Sequence, residues 1–328
     1  MLASWLTPIL DKEGPSYPFA RVGDLLARAD LRIFNLEAPF ADGGQPFDKR
    51  FTFRVPTRHA AVLQAGGINA VNLANNHILD YGPAALASTI HVLDSLKIHH
   101  FGAGSKAGCA CKPAFVQVGK TTVALLGYSL TFPKEFYARI DTPGTCYGYA
   151  DRVARSVRAA VDSGAVVIVS FHWGTELRET PRRYQRELAH LAVDAGASLV
   201  LGHHPHVLQG LELYKGKLIA YSLGNFVFAS YSDRARDSGL LRVELLGGRL
   251  LGARFIPLNV WNRYVEFQPR VAQGQEARRI LRHLDQLSQP LNSGRSILTE
   301  TGEIRLPAAN PTAKQATAQT TAAFRSDR

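Results

Sequence analysis

Cysteine is scarce in this chain of 328 residues, and its arrangement excludes the usual cysteine-based scaffolds. The three cysteines, Cys109, Cys111 and Cys146, are odd in number and include no CxxC pair. This argues against a disulfide framework and against a four-cysteine zinc site. We therefore expect free thiols that are buried or half-buried. A metal role for Cys109 and Cys111, which would point the same way in an extended segment, is the minor alternative.

Long apolar runs are also missing. No stretch approaches the ~20 apolar residues that a transmembrane helix requires, so we expect no membrane span. The first residues, MLASWLTPIL, carry neither the basic n-region nor the cleavage pattern of a signal peptide. As written, the chain is expected in the cytoplasm. Export or membrane anchoring applies instead if an upstream segment is missing.

Acidic side chains are in deficit, because 27 Asp and Glu face 38 Lys and Arg, a net charge of +11. Such a charge favours anionic partners. The arginines are scattered, with one denser run from Arg178 to Arg186, and no aromatic-interleaved basic stripe accompanies them. We therefore expect an anionic small molecule or an acidic polymer as the partner, and no specific nucleic acid. The oligomeric state has no signature in the sequence.

Apolar runs that are typical of strands alternate with amphipathic stretches, which indicates an α/β fold. The strand candidates are Leu31–Asn35, Ala70–Leu73, Ala114–Val118, Thr122–Gly127, Ala165–Phe171, Ser198–Leu201 and Leu218–Ser222. The helix candidates are Phe19–Ala29, Thr57–Ala65, Pro83–Leu96, Asp151–Asp162, Pro181–Ala195 and Gln275–Leu287. From Leu240 onwards, LLRVELL and LLGARFIPL around Gly247-Gly248 predict a hairpin. We expect an irregular segment over residues 1–17, one domain over 18–290, an extension over 291–306 and a disordered tail over 307–328.

Histidines follow three of the strand candidates directly, in VNLANNHILDYG, VIVSFHWGTE and LVLGHHPH. Sites in open α/β sheets lie at the carboxyl ends of strands, so we expect these clusters to converge at one sheet edge. Imidazole is a frequent ligand of divalent transition metals. His172, His204 and His206 are therefore candidate metal ligands. His203 either replaces His204 or His206 as a ligand or binds the substrate.

Carboxylate and amide side chains complete the predicted set. Glu37 follows the first strand, and Asn76 precedes His77. A bridging carboxylate with amide and imidazole ligands is typical of two-metal hydrolases. Asn76 is alternatively a helix cap or a turn residue.

Three further polar residues are assigned to substrate binding. Asn75 adjoins Asn76. Glu176 either orients a ligand histidine or pairs with Arg178 or Arg182. Asn225 lies in YSLGNFVF, which is either a simple turn or a wall of the site.

The motifs NLEAPF, LANNHILDYG, FGAG, SFHWGTE, LGHHPHVLQGLE and YSLGNFVF occur in an order that resembles the CapA/PgsA family of poly-γ-glutamate capsule synthesis proteins. The resemblance covers about Pro18 to Leu287. It implies a calcineurin-like fold, a four-layer α/β/β/α double β-sandwich flanked by helices. It also implies one or two divalent ions of the Mn, Fe or Zn type at Glu37, Asn76, His172, His204 and His206. By the same likeness His77 is the catalytic proton donor to the leaving group.

One feature of the family is missing. Its members normally open with a strand that ends in a Gly-Asp pair, which supplies a metal-ligand aspartate, and Gly23-Asp24 does not replace it. Either the true start lies upstream, or a strand and a ligand have been lost. Two functions follow: a metal-dependent hydrolase of phosphate esters or a related anionic substrate, or a non-catalytic accessory protein that binds an acidic polymer.

Overall fold

The structure, a computed structural model, describes residues 2–306. The tail that the sequence analysis expects to be disordered, residues 307–328, lies outside the described residues. The strands are β1 (Ile33–Asn35), β2 (Ala70–Asn72), β3 (His99–Phe101), β4 (Ala103–Gly104), β5 (Ala114–Val118), β6 (Thr121–Ser129), β7 (Gly144–Thr145), β8 (Val166–His172), β9 (Leu199–His203), β10 (Leu208–Tyr214), β11 (Lys217–Leu223), β12 (Asp237–Leu246), β13 (Arg249–Asn259) and β14 (Arg270–Val271).

The α-helices alternate with the strands over most of the chain, as predicted. They are α1 (Leu6–Glu13), α2 (Gly23–Leu26), α3 (Ala61–Ala65), α4 (Gly82–Ser95), α5 (Ala107–Ala110), α6 (Ala150–Asp162), α7 (Arg183–Asp194), α8 (Asn262–Val265) and α9 (Gly274–Ser288). Within residues 2–306 no helix combines the length and apolar character needed to cross a membrane.

The largest sheet has the strand order β10-β11-β9-β8-β6-β5. Its four central strands are parallel, and β10 and β5 are antiparallel at its two edges. A second sheet, β1-β2-β3, is parallel, and a third, β12-β13-β14, is antiparallel. Central parallel strands are covered on both faces, which explains why β8 is buried at every position.

Successive residues of a strand point to opposite faces, and this alternation separates the layers. In β8, Ile168 joins the core between the large sheet and the smaller sheets, whereas Val167 and Val169 join the core beneath α6 and α7. In β2, Ala70 faces the central core and Val71 faces the core formed with α1, α3 and α4. Helices therefore cover two packed layers of sheet, which confirms the expected α/β/β/α architecture.

The predicted hairpin is confirmed. Strands β12 and β13 pair antiparallel with Leu246 opposite Arg249, and Gly247 and Gly248 form the turn with φ of +54° and +76°. Two successive positive φ angles match the twist of a two-residue hairpin, and glycine adopts them without steric cost.

Three local expectations are wrong, and one long strand was not expected. Residues 6–13 form α1, with Leu6 and Leu10 buried, where an irregular segment is expected. The single helix expected over Phe19–Ala29 is a 3₁₀ turn at Tyr17–Phe19 followed by the short α2. The helix expected over Thr57–Ala65 begins as a 3₁₀ turn and becomes regular only in α3. Strand β10 was not expected, although it pairs with β11 along its length.

The cysteines also differ from the expectation of free thiols. Cys111 and Cys146 form a disulfide, and only Cys109 is free. The partners are 35 residues apart in sequence. Pairing over such a distance depends on the tertiary fold, which cysteine spacing does not report.

Candidate metal centre

The loops that follow four neighbouring strands bring polar side chains to one edge of the two main sheets. Strands β1 and β2 pair in register, as do β8 and β9, so their carboxyl ends lie at equal heights. The side chains delivered there are Glu37 after β1, Asn76 and His77 after β2, His172 at the end of β8, and His204 and His206 after β9. The convergence expected from the sequence is present.

Glu37 lies at the middle of this cluster. Its Oε1 is 3.7 Å from Nε2 of His172 and 3.7 Å from Nε2 of His206. One ligand atom each from Glu37, His204 and His206 falls within 4.8 Å of the others. The Asn76 side-chain oxygen lies 2.8 Å from Nε2 of His172. A carboxylate, an amide oxygen and three imidazoles therefore face a common space.

Several polar atoms in and beside the cluster are buried without a hydrogen-bond partner among the described residues. They are Glu37 Oε1, His172 Nδ1, His203 Nε2 and His204 Nδ1. An unpartnered buried polar atom costs free energy, so native structures rarely keep several together without a ligand. Glu37 Oε1 faces two imidazole nitrogens, an arrangement that suits a cation among them. This donor set fits a divalent ion of the Zn, Mn or Fe type.

Burial keeps these histidines neutral. It lowers the pKa of His204 to about 3, with the neighbouring histidines His206 and His77 adding to the effect. It lowers the pKa of His172 well below its ordinary value, again with help from nearby imidazoles. Neutral imidazole is the form that binds a metal. At neutral pH, His172 and His204 are therefore in the neutral form that binds a cation.

The segment that carries the last two histidines has an unusual backbone. His204 has a φ of +97° and His206 a φ of +59°, a region that non-glycine residues enter at a cost of about 1–3 kcal/mol. A Cβ on Gly202 would lie 2.0 Å from the Tyr221 carbonyl oxygen and 2.5 Å from Trp173 Nε1. Glycine at this position lets the chain turn close beside β11, and the turn aims both imidazoles at Glu37.

Two asparagines that were predicted to bind substrate have structural contacts. The Asn225 side-chain oxygen lies 2.9 Å from His206 Nδ1, so it holds the ring that faces Glu37. Asn75 is fully buried, donates to the Leu36 carbonyl at 2.8 Å and accepts from the His77 backbone N–H at 3.0 Å. Asn75 thus ties the loop after β2 to the loop after β1.

His77 lies beside the cluster and contacts Asp80, a pairing that the sequence only partly indicates. Its Nδ1 is 2.7 Å from Oδ2 of Asp80, which is fully buried. Asp80 follows His77 by three residues, a spacing that can bring two side chains together within one turn. Lys49 was missed, and its Nζ lies 2.5 Å from Asp80 Oδ1. No spacing links Lys49 to His77 in the sequence, and none of the motifs named above contains Lys49.

Two predicted residues lie apart from the tight cluster. Glu176 is exposed, and within residues 2–306 it makes neither the contact with a ligand histidine nor the arginine pair that the sequence analysis proposed. His203 ends β9, and its carbonyl accepts a hydrogen bond from the Trp173 N–H at 3.1 Å. Burial lowers the pKa of His203 to about 4. It is outside the group formed by Glu37, His204 and His206.

A cavity of about 630 Å³ extends from the cluster between β1 and β12. Glu37, His204 and His206 line one end of it, and mostly apolar side chains line the rest. Among the described strands, β1 is bonded only to β2, and β12 only to β13. The cavity therefore runs along two open strand edges.

The fold and this cluster define a layered α/β protein with a candidate site for divalent cations. A family model described as "Bacterial capsule synthesis protein PGA_cap" matches residues 1–230. The chain belongs to this family, which confirms the resemblance seen in its motifs.

Curated relatives are similar over most of this chain. It is 31% identical over 268 residues to the capsule biosynthesis protein CapA of Bacillus anthracis, covering 79% of this chain and 65% of the relative. It is 32% identical over 248 residues to the PGA biosynthesis protein CapA of Bacillus subtilis, covering 75% and 65%. A probable polyglutamine synthesis accessory protein of Mycobacterium tuberculosis is 30% identical over 251 residues, with 70% and 66% covered. The chain thus spans about two thirds of the length of these relatives.

Solved structures are more distantly similar. The 5'-nucleotidase precursor of Thermus thermophilus aligns with a TM-score of 0.47 at 20% identity, covering 75% of this chain and 48% of that one. The NAD nucleotidase of Haemophilus influenzae aligns with a TM-score of 0.41 at 16% identity, covering 82% and 53%.

Proposed function

We propose that this protein is a metal-dependent hydrolase of phosphate esters or of a related anionic substrate, and that it acts in capsule or poly-γ-glutamate synthesis. The main support is the position of Glu37 Oε1, which lies 3.7 Å from an imidazole nitrogen of both His172 and His206 and has no hydrogen-bond partner within residues 2–306. The proposal assigns the metal to Glu37, Asn76, His172, His204 and His206. Divalent cations at such a site polarise a phosphoryl oxygen and neutralise the charge that develops in the transition state.

His77 is assigned the proton transfer. Because its Nδ1 is engaged by Asp80 at 2.7 Å, Nε2 is the ring nitrogen that exchanges a proton with a substrate. In the reaction, the oxygen of a water molecule bonds to phosphorus and gives up one proton to solvent, the bond from phosphorus to the ester oxygen breaks, and His77 gives its proton to that departing oxygen. His77 then takes a proton back from solvent. The products are phosphate and an alcohol. Asp80 keeps the ring in this orientation through the contact with Nδ1.

Hydrolysis of phenyl phosphate with added Mn²⁺, Zn²⁺ or Fe²⁺ tests the proposal. The variants His204→Ala and His77→Ala should each lose activity by about 100-fold or more. His91→Ala, which changes an exposed histidine of α4, is the matched control and should retain it. Absence of hydrolysis with every metal, or equal activity in all three variants, would exclude the hydrolase.

The second candidate function is a non-catalytic accessory protein that binds an acidic polymer. The relative from Mycobacterium tuberculosis has the word "accessory" in its name. Arginines also surround the loop that follows His172, since Arg182 Nε donates to Thr175 Oγ1 at 2.8 Å and Arg234 donates to the Leu177 carbonyl at 3.0 Å. Such a basic rim favours an anionic chain.

Binding of poly-γ-glutamate at low salt, with and without EDTA, separates the two functions. The accessory function predicts salt-sensitive binding that persists in EDTA, together with no hydrolysis. The absence of binding at low salt would exclude it.

A further inference from the structure

The loop of residues 42–54 folds onto the turn that carries Asn76 and His77. Its Phe47 N–H donates to the Asp80 carbonyl at 2.7 Å, and its Phe53 N–H donates to Asp80 Oδ2 at 2.7 Å. The Phe53 ring also lies 4.8 Å from the His77 ring, centroid to centroid. The loop is therefore fixed to the turn at Phe47 and at Phe53, and Lys49 lies between these two anchors.

Lys49 reaches from this loop into the turn. Its Nζ donates to the Asn76 carbonyl at 2.5 Å, lies 2.5 Å from Asp80 Oδ1 and lies 3.2 Å from His77 Nδ1. The side chain is only 18% exposed, and Nζ lies 5.1 Å from the centroid of the buried Phe136 ring. Within residues 2–306 the atoms in direct contact with the ammonium group all belong to one turn, and the carboxylates of Glu37 and Glu176 attract it from further away. Lys49 is therefore already engaged before any substrate arrives.

Lys49 contacts two groups of the turn, the Asn76 backbone carbonyl and the Asp80 carboxylate. The Asn76 carbonyl is held by Lys49 on one side of the residue, while the Asn76 side-chain oxygen points to His172 on the other. The Asp80 carboxylate is shared, with Oδ1 facing Lys49 and Oδ2 facing His77. The Lys49 ammonium group therefore constrains both the backbone of Asn76, whose side chain lies at the candidate metal site, and the Asp80 carboxylate, which orients His77.

We propose that Lys49 is a positioning residue, which fixes the Asn76 carbonyl and the Asp80 carboxylate and so sets the direction of the His77 ring. Its kinetic consequence rests on the hydrolase proposed above. Without the ammonium group, the Asp80 carboxylate keeps, among the described residues, only the Phe53 N–H and His77 as partners, and the turn loses one of its ties to the loop. The His77 ring is then free to rotate away from the departing oxygen, and a proton donor out of line contributes little.

Leaving groups of different basicity provide the kinetic test. A 4-nitrophenolate departs without protonation, whereas an alkoxide requires it. Lys49→Met keeps the length of the side chain and removes the charge. It should lower kcat/KM for an alkyl phosphate by about 10-fold or more, with most of the loss in kcat, and for 4-nitrophenyl phosphate by less than about 3-fold. Lys134→Met, at an exposed lysine of the 3₁₀ turn Lys134–Phe136, is the matched control and should change neither.

Lys49→Arg keeps the charge and should recover part of the alkyl phosphate activity. It also serves as the second variant if Lys49→Met does not fold. Equal losses on both substrates in the folded variants would reduce Lys49 to a stabilising residue and overturn the proposal.

Imidazole ¹⁵N NMR of His77 tests the same idea without any activity. In the wild-type protein Nδ1 should carry the hydrogen-bonded proton that Asp80 accepts, and in Lys49→Met this signal should shift or broaden while that of the exposed His91 stays. If the wild-type protein hydrolyses no ester, the hydrolase proposal fails and the NMR result alone decides the role of Lys49. Unchanged His77 signals in Lys49→Met would overturn it.

Discussion

The side-chain oxygen of Asn76 lies 2.8 Å from Nε2 of His172, although 96 residues separate them in the sequence. Asn76 lies in the turn after β2, a strand of the parallel sheet β1-β2-β3, and His172 is the last residue of β8 in the large sheet. The contact therefore joins the two sheet layers at the candidate metal centre.

Asn225 should matter for metal affinity although it is not a predicted ligand. Its side-chain oxygen holds His206 Nδ1 at 2.9 Å and so orients the ring toward Glu37. Asn225→Ala should weaken Mn²⁺ or Zn²⁺ binding by about 10- to 100-fold, the usual effect of removing a partner of a ligand histidine. Isothermal titration calorimetry measures this. Unchanged affinity would show that the ring needs no such support.

Acid should destabilise the metal-free protein in a defined window. Burial lowers the pKa of His203 to about 4 and that of His204 to about 3, whereas an unfolded histidine has a pKa of about 6.5. The unfolded chain therefore binds more protons below pH 6.5, and the free energy of unfolding is highest above that pH and falls as the pH drops towards 4. Each such histidine contributes up to about 1.4 kcal/mol per pH unit in this window.

Urea unfolding in EDTA at pH 7.5, 6.0 and 5.0 follows this loss. His203→Gln should flatten the dependence on pH, while His99→Gln, at an exposed site, should leave it unchanged. A wild-type stability that is constant from pH 7.5 to 5.0 would contradict the neutral buried histidines.

Gly202→Ala should be strongly destabilising. The added Cβ would meet the Tyr221 carbonyl oxygen at 2.0 Å and Trp173 Nε1 at 2.5 Å, and neither the strand backbone nor a buried indole can move cheaply. We expect a loss of about 3 kcal/mol or more in the free energy of unfolding, measured with denaturant. Gly43→Ala has no atom within 4 Å of the new Cβ and is the control. Similar losses in both variants would contradict the close approach of β9 and β11.

The Cys111–Cys146 disulfide should contribute to stability in the oxidised protein. It closes a loop across a sequence separation of 35 residues, and a crosslink of this span stabilises by about 3 kcal/mol. Cys146→Ser should therefore lower the unfolding free energy by that order, and Cys109→Ser should not. If mass spectrometry after alkylation finds three free thiols, the crosslink is absent from the purified protein.

The sequence predicted the sheet well because its central strands are apolar on both faces. Ala165–Phe171 is such a run, and β8 covers nearly the same residues. Leu208–Tyr214 was missed because it follows the histidine cluster directly and contains Gly210, a residue that weakens strand patterns. In the structure Gly210 is needed, since a Cβ there would lie 2.4 Å from the Leu287 carbonyl oxygen of α9. This is a tertiary constraint that local pattern does not show.

The candidate site divides in the same way. Glu37, His172, His204 and His206 follow strands, so their convergence could be predicted from the position of strand ends. The role of Lys49 could not be predicted, because Lys49 lies on an irregular loop. It contacts Asp80, which is 31 residues further along the chain in the turn after β2, only in the folded protein. The Cys111–Cys146 disulfide was not predicted for the same reason, since its partners meet only in the folded chain.

Metal content tests the central claim most directly. Purified wild-type protein incubated with Mn²⁺ or Zn²⁺ and then desalted should retain about one or two ions per chain by elemental analysis. His204→Ala and His206→Ala should each retain less, and His91→Ala should match the wild type. A wild-type protein that retains no stoichiometric metal, or equal retention in all four proteins, would contradict a metal centre at Glu37, His172, His204 and His206.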